Sequence, residues 1–206
     1  MTSPIDKPQK PARTLKAALT RLSGLYRRFA RDRRGIGAIE FAIIAPILLM
    51  LYIGALEFTI GLSVAKRVSR AAGTIADIIA QENTPTSKTG TLDLMPTVAA
   101  SILDPQSING LTLKISGIAI DATSNAKIAW SWSEDGTTPY AAGNPVTLST
   151  DLAQPNSFLV HAELSIPYTL FNFGPDFLPG TLNQITISRD HFYRLRTGDT
   201  LACTGC

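Results

Sequence analysis

The chain has 206 residues, 45% of them hydrophobic, and a formal net charge of +3 at pH 7. That length accommodates one membrane helix and one compact domain of about 110–130 residues. The charge is uneven: residues 1–35 hold ten Lys and Arg against two Asp, whereas the rest holds nine basic and 14 acidic residues. A basic arm can bind nucleic acid, but one that directly precedes an apolar run favours a role in membrane topology, and we expect no nucleic-acid partner.

Residues 1–35 are expected to form a basic cytoplasmic leader. Residues 1–12 are polar and proline-rich, which is typical of disorder. In residues 13–32, apolar side chains recur at helical spacing with basic residues between them, which predicts an amphipathic helix on an anionic membrane surface. The open alternative is a flexible leader that is removed with the signal. Both can be true, one before cleavage and the other after it.

A long apolar run from Ile36 to Val64 follows the basic pair Arg33 and Arg34. About 20 apolar residues at a rise of ~1.5 Å each cross the ~30 Å hydrocarbon core of a bilayer, so the run predicts a transmembrane helix. An ordinary secretory signal has a shorter apolar region of about 7–15 residues, with a small-residue cleavage site beyond it. Because the basic residues precede the helix, we expect a cytoplasmic N-terminus and a C-terminal domain outside.

Several residues in and just before this run form a recognisable set: Gly35, Glu40-Phe41, Ala45-Pro46, Gly54 and Glu57-Phe58. With the preceding basic residues they resemble the class III signal sequence of type IV prepilins, and more specifically the TadE-like (TadE/TadG) pseudopilins of the tight-adherence Flp pilus system. The resemblance implies a protein of the bacterial inner membrane that supports Flp (type IVb) pilus assembly and adherence. It also implies three kinds of partner: a prepilin peptidase, other pilin-like and Tad assembly proteins, and the membrane.

The same resemblance implies a processed bond between Gly35 and Ile36. A prepilin peptidase cuts after such a glycine on the cytoplasmic face, which would make Glu40 the fifth residue of the mature chain. Gly37 offers a second bond, but Glu40 would then be third, so we rank it below Gly35. A carboxylate one turn into a membrane span is costly when it is ionised and unpaired. By resemblance Glu40 pairs with the new amine of Ile36 on a neighbouring subunit; the open alternative is that it reaches the lipid headgroups.

Three further residues of the run are candidate helix contacts. Pro46 lacks an N–H group, so it predicts a bend, and a neighbouring helix can satisfy the carbonyl that is left free. Gly54 and Gly61, one heptad apart, leave a flat stripe that another helix can approach closely. Glu57 is expected at the outer interface or opposite a basic residue of another chain.

The pattern beyond the membrane predicts an α+β fold. The helical period continues and gives a transmembrane and extended helix over 36–82, followed by a shorter helix over 92–103. The period then changes to two in four segments, and strands without intervening helices predict an antiparallel sheet. We therefore expect a single N-terminal transmembrane helix, extended into a long pilin-like helix that packs on about four strands, with residues 83–206 as an extracytoplasmic α/β domain. The four segments are 111–116, 126–132, 157–166 and 185–193.

Two apolar features of this domain carry open alternatives. Trp130 and Trp132 are expected on one strand face together with Ala126 and Ile128, where they more often fill a core than stack on a sugar or a base. The connection Leu170–Gly180 is unusually apolar and either caps the core or contacts a partner.

The cysteine and histidine pattern predicts no catalytic or metal site. Cys203 and Cys206 lack a second pair of zinc ligands, and an oxidising compartment favours a disulfide between them, with intermolecular pairing or a reduced tail as alternatives. His161 and His191 are expected as solvated strand residues. No phosphate-binding loop or nucleophile elbow occurs. We therefore expect no enzyme, cofactor or metal; the alternative function is an uncleaved single-pass anchor that displays a ligand-binding or adhesin β domain.

Overall fold

A computed structural model describes residues 35–170 and 184–206 of the chain. It begins with a 45-residue helix, α1 (Ile36–Ala80), which contains Pro46. Helix-type hydrogen bonds continue to Glu82, whose N–H donates to the carbonyl of Ile79 at 3.2 Å. The chain divides into two compact units at the bond between Ile53 and Gly54, which lies inside α1.

Short elements connect α1 to the sheet. A two-residue strand, β1 (Thr86–Ser87), is followed by a π-helical turn (Lys88–Leu92) and by α2 (Asp93–Leu103). α2 matches the shorter helix that the periodicity predicts, and it buries Met95, Ala99 and Leu103 at four-residue spacing. This spacing places the three side chains on one face, which contributes to the core of the Gly54–Cys206 unit.

Five antiparallel strands form one sheet in the spatial order β4-β3-β2-β5-β6. The predicted α+β class is confirmed, and the sheet has one strand more than the four predicted. The additional strand is two residues long, too short to show the alternation by which a strand is recognised. The strands are β2 (Thr112–Ile120), β3 (Ala126–Ser133), β4 (Pro145–Val146), β5 (Ser157–Thr169) and β6 (Gln184–Arg194).

The C-terminal part of α1, from Val64 to Ala80, packs on one face of this sheet, as predicted. Its buried face combines four fully buried alanines with two isoleucines: Ala71, Ala72, Ala76, Ala80, Ile75 and Ile79. The alternate residues of β5 from Phe158 to Tyr168 belong to the same core cluster. Burial of these side chains between the helix and the sheet removes apolar surface from water.

A bulge in β3 separates two sets of apolar residues that we expected on one face. Gly117 of β2 lies opposite Trp130, whereas the next residue, Ile118, lies opposite Ile128, so Ala129 is the extra residue. An extra residue reverses which side chains face each side of a strand. Trp130 and Trp132 therefore belong to the core under α1, whereas Ala126 and Ile128 belong to a smaller cluster. The prediction of a shared face was wrong.

The chain end returns to the body of the domain through β7 (Cys203–Thr204). β7 pairs in parallel with β1, so Thr86 lies opposite Cys203. The indole N–H of Trp130 donates to the carbonyl of Leu201 at 2.7 Å, and the Leu201 side chain is buried in the core. Most of the apolar connection Leu170–Gly180 lies outside the described residues, so its two interpretations stay predictions.

Candidate functional site

The predicted processing site lies at the start of α1. The helix begins at Ile36, so the Gly35–Ile36 peptide bond immediately precedes its first turn. Both residues are exposed, and a Cβ added to Gly35 would meet no atom within 4 Å. Gly35 lies in a 3₁₀ turn that continues into α1, so the bond is exposed within helical backbone.

Glu40 lies four residues after Ile36, a rise of about 6 Å along the helix. Its side chain is exposed. A negative charge near a helix N-terminus interacts favourably with the helix dipole. The structure thus places Glu40 one turn from the Gly35–Ile36 bond, where it is open to a group from outside the chain.

The first part of α1 presents large apolar side chains to its surroundings. Ile39, Phe41 and Met50 are all more than half exposed. In the described residues, α1 is the one helix long and apolar enough to cross a membrane, and no residue of its most apolar 18-residue window is buried. Exposed apolar surface on this scale is unfavourable in water and is suited to a lipid environment.

The predicted helix contacts differ in what surrounds them. α1 continues through Pro46, which is exposed. A Cβ added to Gly54 would meet no atom within 4 Å, so this position is open to a neighbour. A Cβ added to Gly61 would instead lie 3.8 Å from Cε1 of Tyr168 in β5. The flat surface at Gly61 is therefore occupied by the chain's own sheet rather than left for another helix.

Glu57 is the first buried residue of α1, at 7% exposure. The phenol of Tyr168 donates to its Oε1 at 3.3 Å. Burial and the nearby Glu57 carboxylate raise the pKa of Tyr168, because both disfavour the phenolate. Within the chain this carboxylate thus lies against the sheet, and its expected position at the outer interface stays a prediction.

His191 and Ser69 link β6 to α1 further along the helix. Ser69 Oγ and His191 Nε2 share a hydrogen bond of 2.8 Å. A Cβ added to Gly73 would lie 3.7 Å from the His191 ring, at ordinary contact distance. The expectation that His191 is a solvated strand residue was wrong, because its ring packs on the helix.

These contacts show what the segment from Gly35 to Asp77 does in the structure. It supplies an exposed helix start, a long apolar surface and the small-residue face that packs on the sheet.

Residues 35–77 match the TadE-like protein family.

The match covers the first 42 residues of α1 and does not extend into the sheet. The TadE-like segment therefore contains Gly35, Glu40 and Glu57, together with most of the helical face under the sheet. This family consists of pilin-like proteins rather than known enzymes. Comparisons with curated proteins and with solved structures give no match.

A polar network lies on the sheet around His161, outside the TadE-like segment. His161 Nε2 is 3.5 Å from Asp190 Oδ2 and 3.7 Å from Glu163 Oε1, and its ring stacks on Phe192 with centroids 4.0 Å apart. Burial lowers the pKa of His161, although the two carboxylates act in the opposite direction. The expectation of a solvated His161 was therefore wrong.

Tyr140 completes this network from the loop after β3. Its phenol donates to Glu163 Oε2 at 2.6 Å, and Lys114 Nζ lies 5.8 Å from the centre of its ring. Burial, followed by the hydrogen bond and charge of Glu163, raises the pKa of Tyr140 to about 12. A neighbouring groove of about 340 Å³ is lined partly by Tyr140, His161 and Glu163. The hydrogen bond between Tyr140 and Glu163 joins the loop to β5, whereas His161 Nε2 is buried near the two carboxylates without a hydrogen bond in the described residues.

Cys203 and Cys206 form a disulfide in the structure, with Cα atoms 5.7 Å apart. Both residues belong to the tail, so the bond closes a small ring there and does not itself connect the tail to the sheet. Across residues 35–170 and 184–206, no group of three His, Cys, Asp or Glu side chains is arranged to hold a metal ion.

Proposed function

We propose that the chain is a TadE-like pseudopilin, a membrane-anchored accessory protein in Flp (type IVb) pilus assembly and adherence. The observation that carries this proposal is the family match over residues 35–77, which falls on the exposed helix start and the apolar surface of α1. A pilin-like protein needs a helix that can reside in a membrane and a body that packs on the same helix. α1 supplies both within one continuous element.

The proposed location is the bacterial inner membrane, with α1 crossing the bilayer. Residues 1–35 carry ten basic side chains and would remain in the cytoplasm as the leader. Residues 36–82 would form the transmembrane and extended helix, and residues 83–206 the periplasmic or extracellular domain. In this arrangement the disulfide lies in an oxidising compartment, where disulfides persist.

The proposed chemistry at the helix start is cleavage of the chain by a prepilin peptidase, which makes this protein a substrate rather than an enzyme. The peptidase would hydrolyse the Gly35–Ile36 bond and leave Ile36 as the new N-terminus. Support comes from the exposure of Gly35 and Ile36, the residues on either side of the bond. The proposed partners after cleavage are other pilin-like and Tad assembly proteins in the membrane.

Processing is tested by the mass and N-terminal sequence of the mature protein in cells with and without prepilin peptidase. We expect a chain that begins at Ile36 only where the peptidase is present. Gly35→Leu should block the cut, whereas Gly37→Leu is the matched control, because a Cβ at either glycine meets no atom within 4 Å. A mature chain that begins at Met1 in peptidase-positive cells would support the uncleaved anchor with a ligand-binding or adhesin domain instead.

Glu40 is proposed to act after cleavage, by pairing with the new amine of Ile36 on a neighbouring subunit. A buried ion pair of this kind would offset the cost of a carboxylate inside the membrane and select one axial position for the subunit. Glu40→Gln should leave the cut intact and reduce pilus production and adherence several-fold. Glu82→Gln is the control, because Glu82 lies beyond the end of α1, far along the chain from the processed bond. Normal assembly with Glu40→Gln would contradict this role.

A further inference from the structure

One strip along α1 changes from apolar to basic. Phe58, Leu62, Lys66 and Arg70 follow one another at four-residue steps, which places them on the same side of the helix. Phe58 is 69% and Leu62 47% exposed, and Lys66 and Arg70 are exposed as well. All four residues belong to the Gly54–Cys206 unit, so the strip is a surface of the folded body itself.

The two basic residues of this strip have no acidic partner in the part of the chain that the structure describes. The Arg–carboxylate pair found there joins Arg196 to Asp77 at 2.6 Å. Arg67, which lies between the two basic residues in sequence, donates to the backbone carbonyl of Asp104. Arg67 is thus used within the fold, whereas the charges of Lys66 and Arg70 remain available to an external anion.

The body of the domain covers another side of the same stretch of helix. Glu57 and Val64 are buried, and Gly61 contacts Tyr168. The sheet therefore excludes an external partner from that side and leaves the strip from Phe58 to Arg70 accessible. A surface that is apolar at one end and cationic one turn further matches the order of acyl chains and anionic headgroups at a membrane surface.

We propose that Lys66 and Arg70 bind anionic phospholipid headgroups on the outer surface of the membrane, while Phe58 and Leu62 contact the adjoining acyl chains. This inference rests on the proposed membrane span, and it adds a lipid preference that the family match does not contain. A basic residue near an anionic surface can increase the local lipid concentration by up to about fivefold. Two basic residues one helical turn apart can engage the same patch of headgroups.

The test uses the full chain in vesicles that contain phosphatidylcholine and phosphatidylglycerol. Ser63→Cys places a thiol on an exposed position between Leu62 and Val64, and a fluorophore attached there reports on the nearby lipid. The native cysteines are joined in a disulfide and are not labelled under non-reducing conditions. Each sample receives a nitroxide near the glycerol backbone of either phosphatidylglycerol or phosphatidylcholine. We expect at least about twofold stronger quenching by the anionic lipid.

Charge reversal separates the strip from the basic leader. K66E/R70E should make the two lipids quench equally, whereas K127E, an exposed charge on β3, should preserve the preference. Equal quenching with the unsubstituted strip, or a preference that survives K66E/R70E, would overturn the proposal. If the two lipids quench equally and the protein forms dimers that K66E/R70E dissociates, the strip binds a second copy of the chain and the lipid proposal is overturned. Quenching by neither lipid would show that the membrane span, and with it the proposed function, had failed.

Discussion

The two parts of α1 are both apolar, yet they differ in the size and exposure of their side chains. Residues 36–62 carry large exposed residues such as Phe41 and Met50, whereas residues 64–80 bury small ones such as Ala72 and Ala76. Small side chains permit close packing against a sheet, and large exposed ones require an apolar solvent. Hydrophobicity alone therefore does not distinguish an exposed apolar stretch from a core-facing one; the alanine-rich face of residues 64–80 does.

The largest expected difference between the two parts comes from the same Ile→Ala substitution at a buried and at an exposed position. Ile75→Ala should reduce the free energy of unfolding by about 2–5 kcal/mol, because Ile75 is fully buried under the sheet. Ile43→Ala, the matched control, should change it by less than about 0.5 kcal/mol, because Ile43 is exposed. Denaturant unfolding of the full chain in detergent micelles, followed by the fluorescence of Trp130 and Trp132, measures both. Equal effects would remove the distinction between the two stretches.

Adding volume should show a somewhat smaller contrast. Ala76→Leu should cost about 1–3 kcal/mol, because Ala76 is fully buried and a longer side chain would force the helix from the sheet. Ala55→Leu should be close to neutral, since Ala55 is exposed. The same unfolding measurement applies, and a tolerated leucine at position 76 would argue against close packing of α1 on the sheet.

A third contrast concerns two tyrosine hydroxyls. Tyr168→Phe should reduce stability by about 1 kcal/mol, because it removes the donor to Glu57, whereas Tyr52→Phe should be neutral at an exposed position. Since the folded-state pKa of Tyr168 is raised, the unfolded phenol ionises first. This contribution to stability is present below the ordinary tyrosine pKa of about 10 and is lost as the pH rises through the folded-state value.

The pH dependence is measured by repeating the unfolding experiment in alkaline buffers. Tyr168→Phe should remove part of the stability that is lost at alkaline pH. Tyr140→Phe is the comparison and should also remove part of that loss, because the pKa of Tyr140 is raised to about 12. An unchanged alkaline slope in the Tyr168 variant would contradict the burial of its phenol against Glu57.

The smallest expected contrast uses two serines. Ser69→Ala should cost about 0.5–1.5 kcal/mol, because it removes the hydrogen bond to His191. Ser63→Ala should have no measurable effect on the unfolding free energy, because Ser63 is exposed on the other part of the helix surface. A cost at Ser63 that equals the cost at Ser69 would contradict the role of the contact to β6, because helix propensity favours alanine over serine at both positions.

The general arrangement of the fold could be predicted from local patterns, whereas the contacts between distant residues could not. A long apolar period and a change to alternation predicted α1 and the antiparallel sheet, and both are present. The bulge at Ala129 leaves no mark in composition, so the separation of Ile128 from Trp130 was missed. Strand pairing depends on register, which a single strand's pattern does not determine when both faces are partly apolar.

The functional residues show the same limit. Gly35 and Glu40 could be proposed from the sequence because the proposal depends on a short spacing within one segment. The partners of Glu57 and Ser69 lie 111 and 122 residues away, so no local pattern marks Tyr168 or His191 as their neighbours. His161 was assigned to solvent for the same reason, because Glu163 and Asp190 approach it only after β5 and β6 have paired.

The account depends on α1 being one helix in two environments, lipid first and then protein. A nitroxide scan along α1 in lipid nanodiscs tests this directly, with collision rates for oxygen, which partitions into lipid, and for a water-soluble nickel complex. We predict high oxygen and low nickel accessibility on all sides of the helix from Phe41 to Ile53, and a helical period of low accessibility to both from Val64 to Ala80. Free access of the nickel complex to Phe41, Leu48 and Met50 would contradict it.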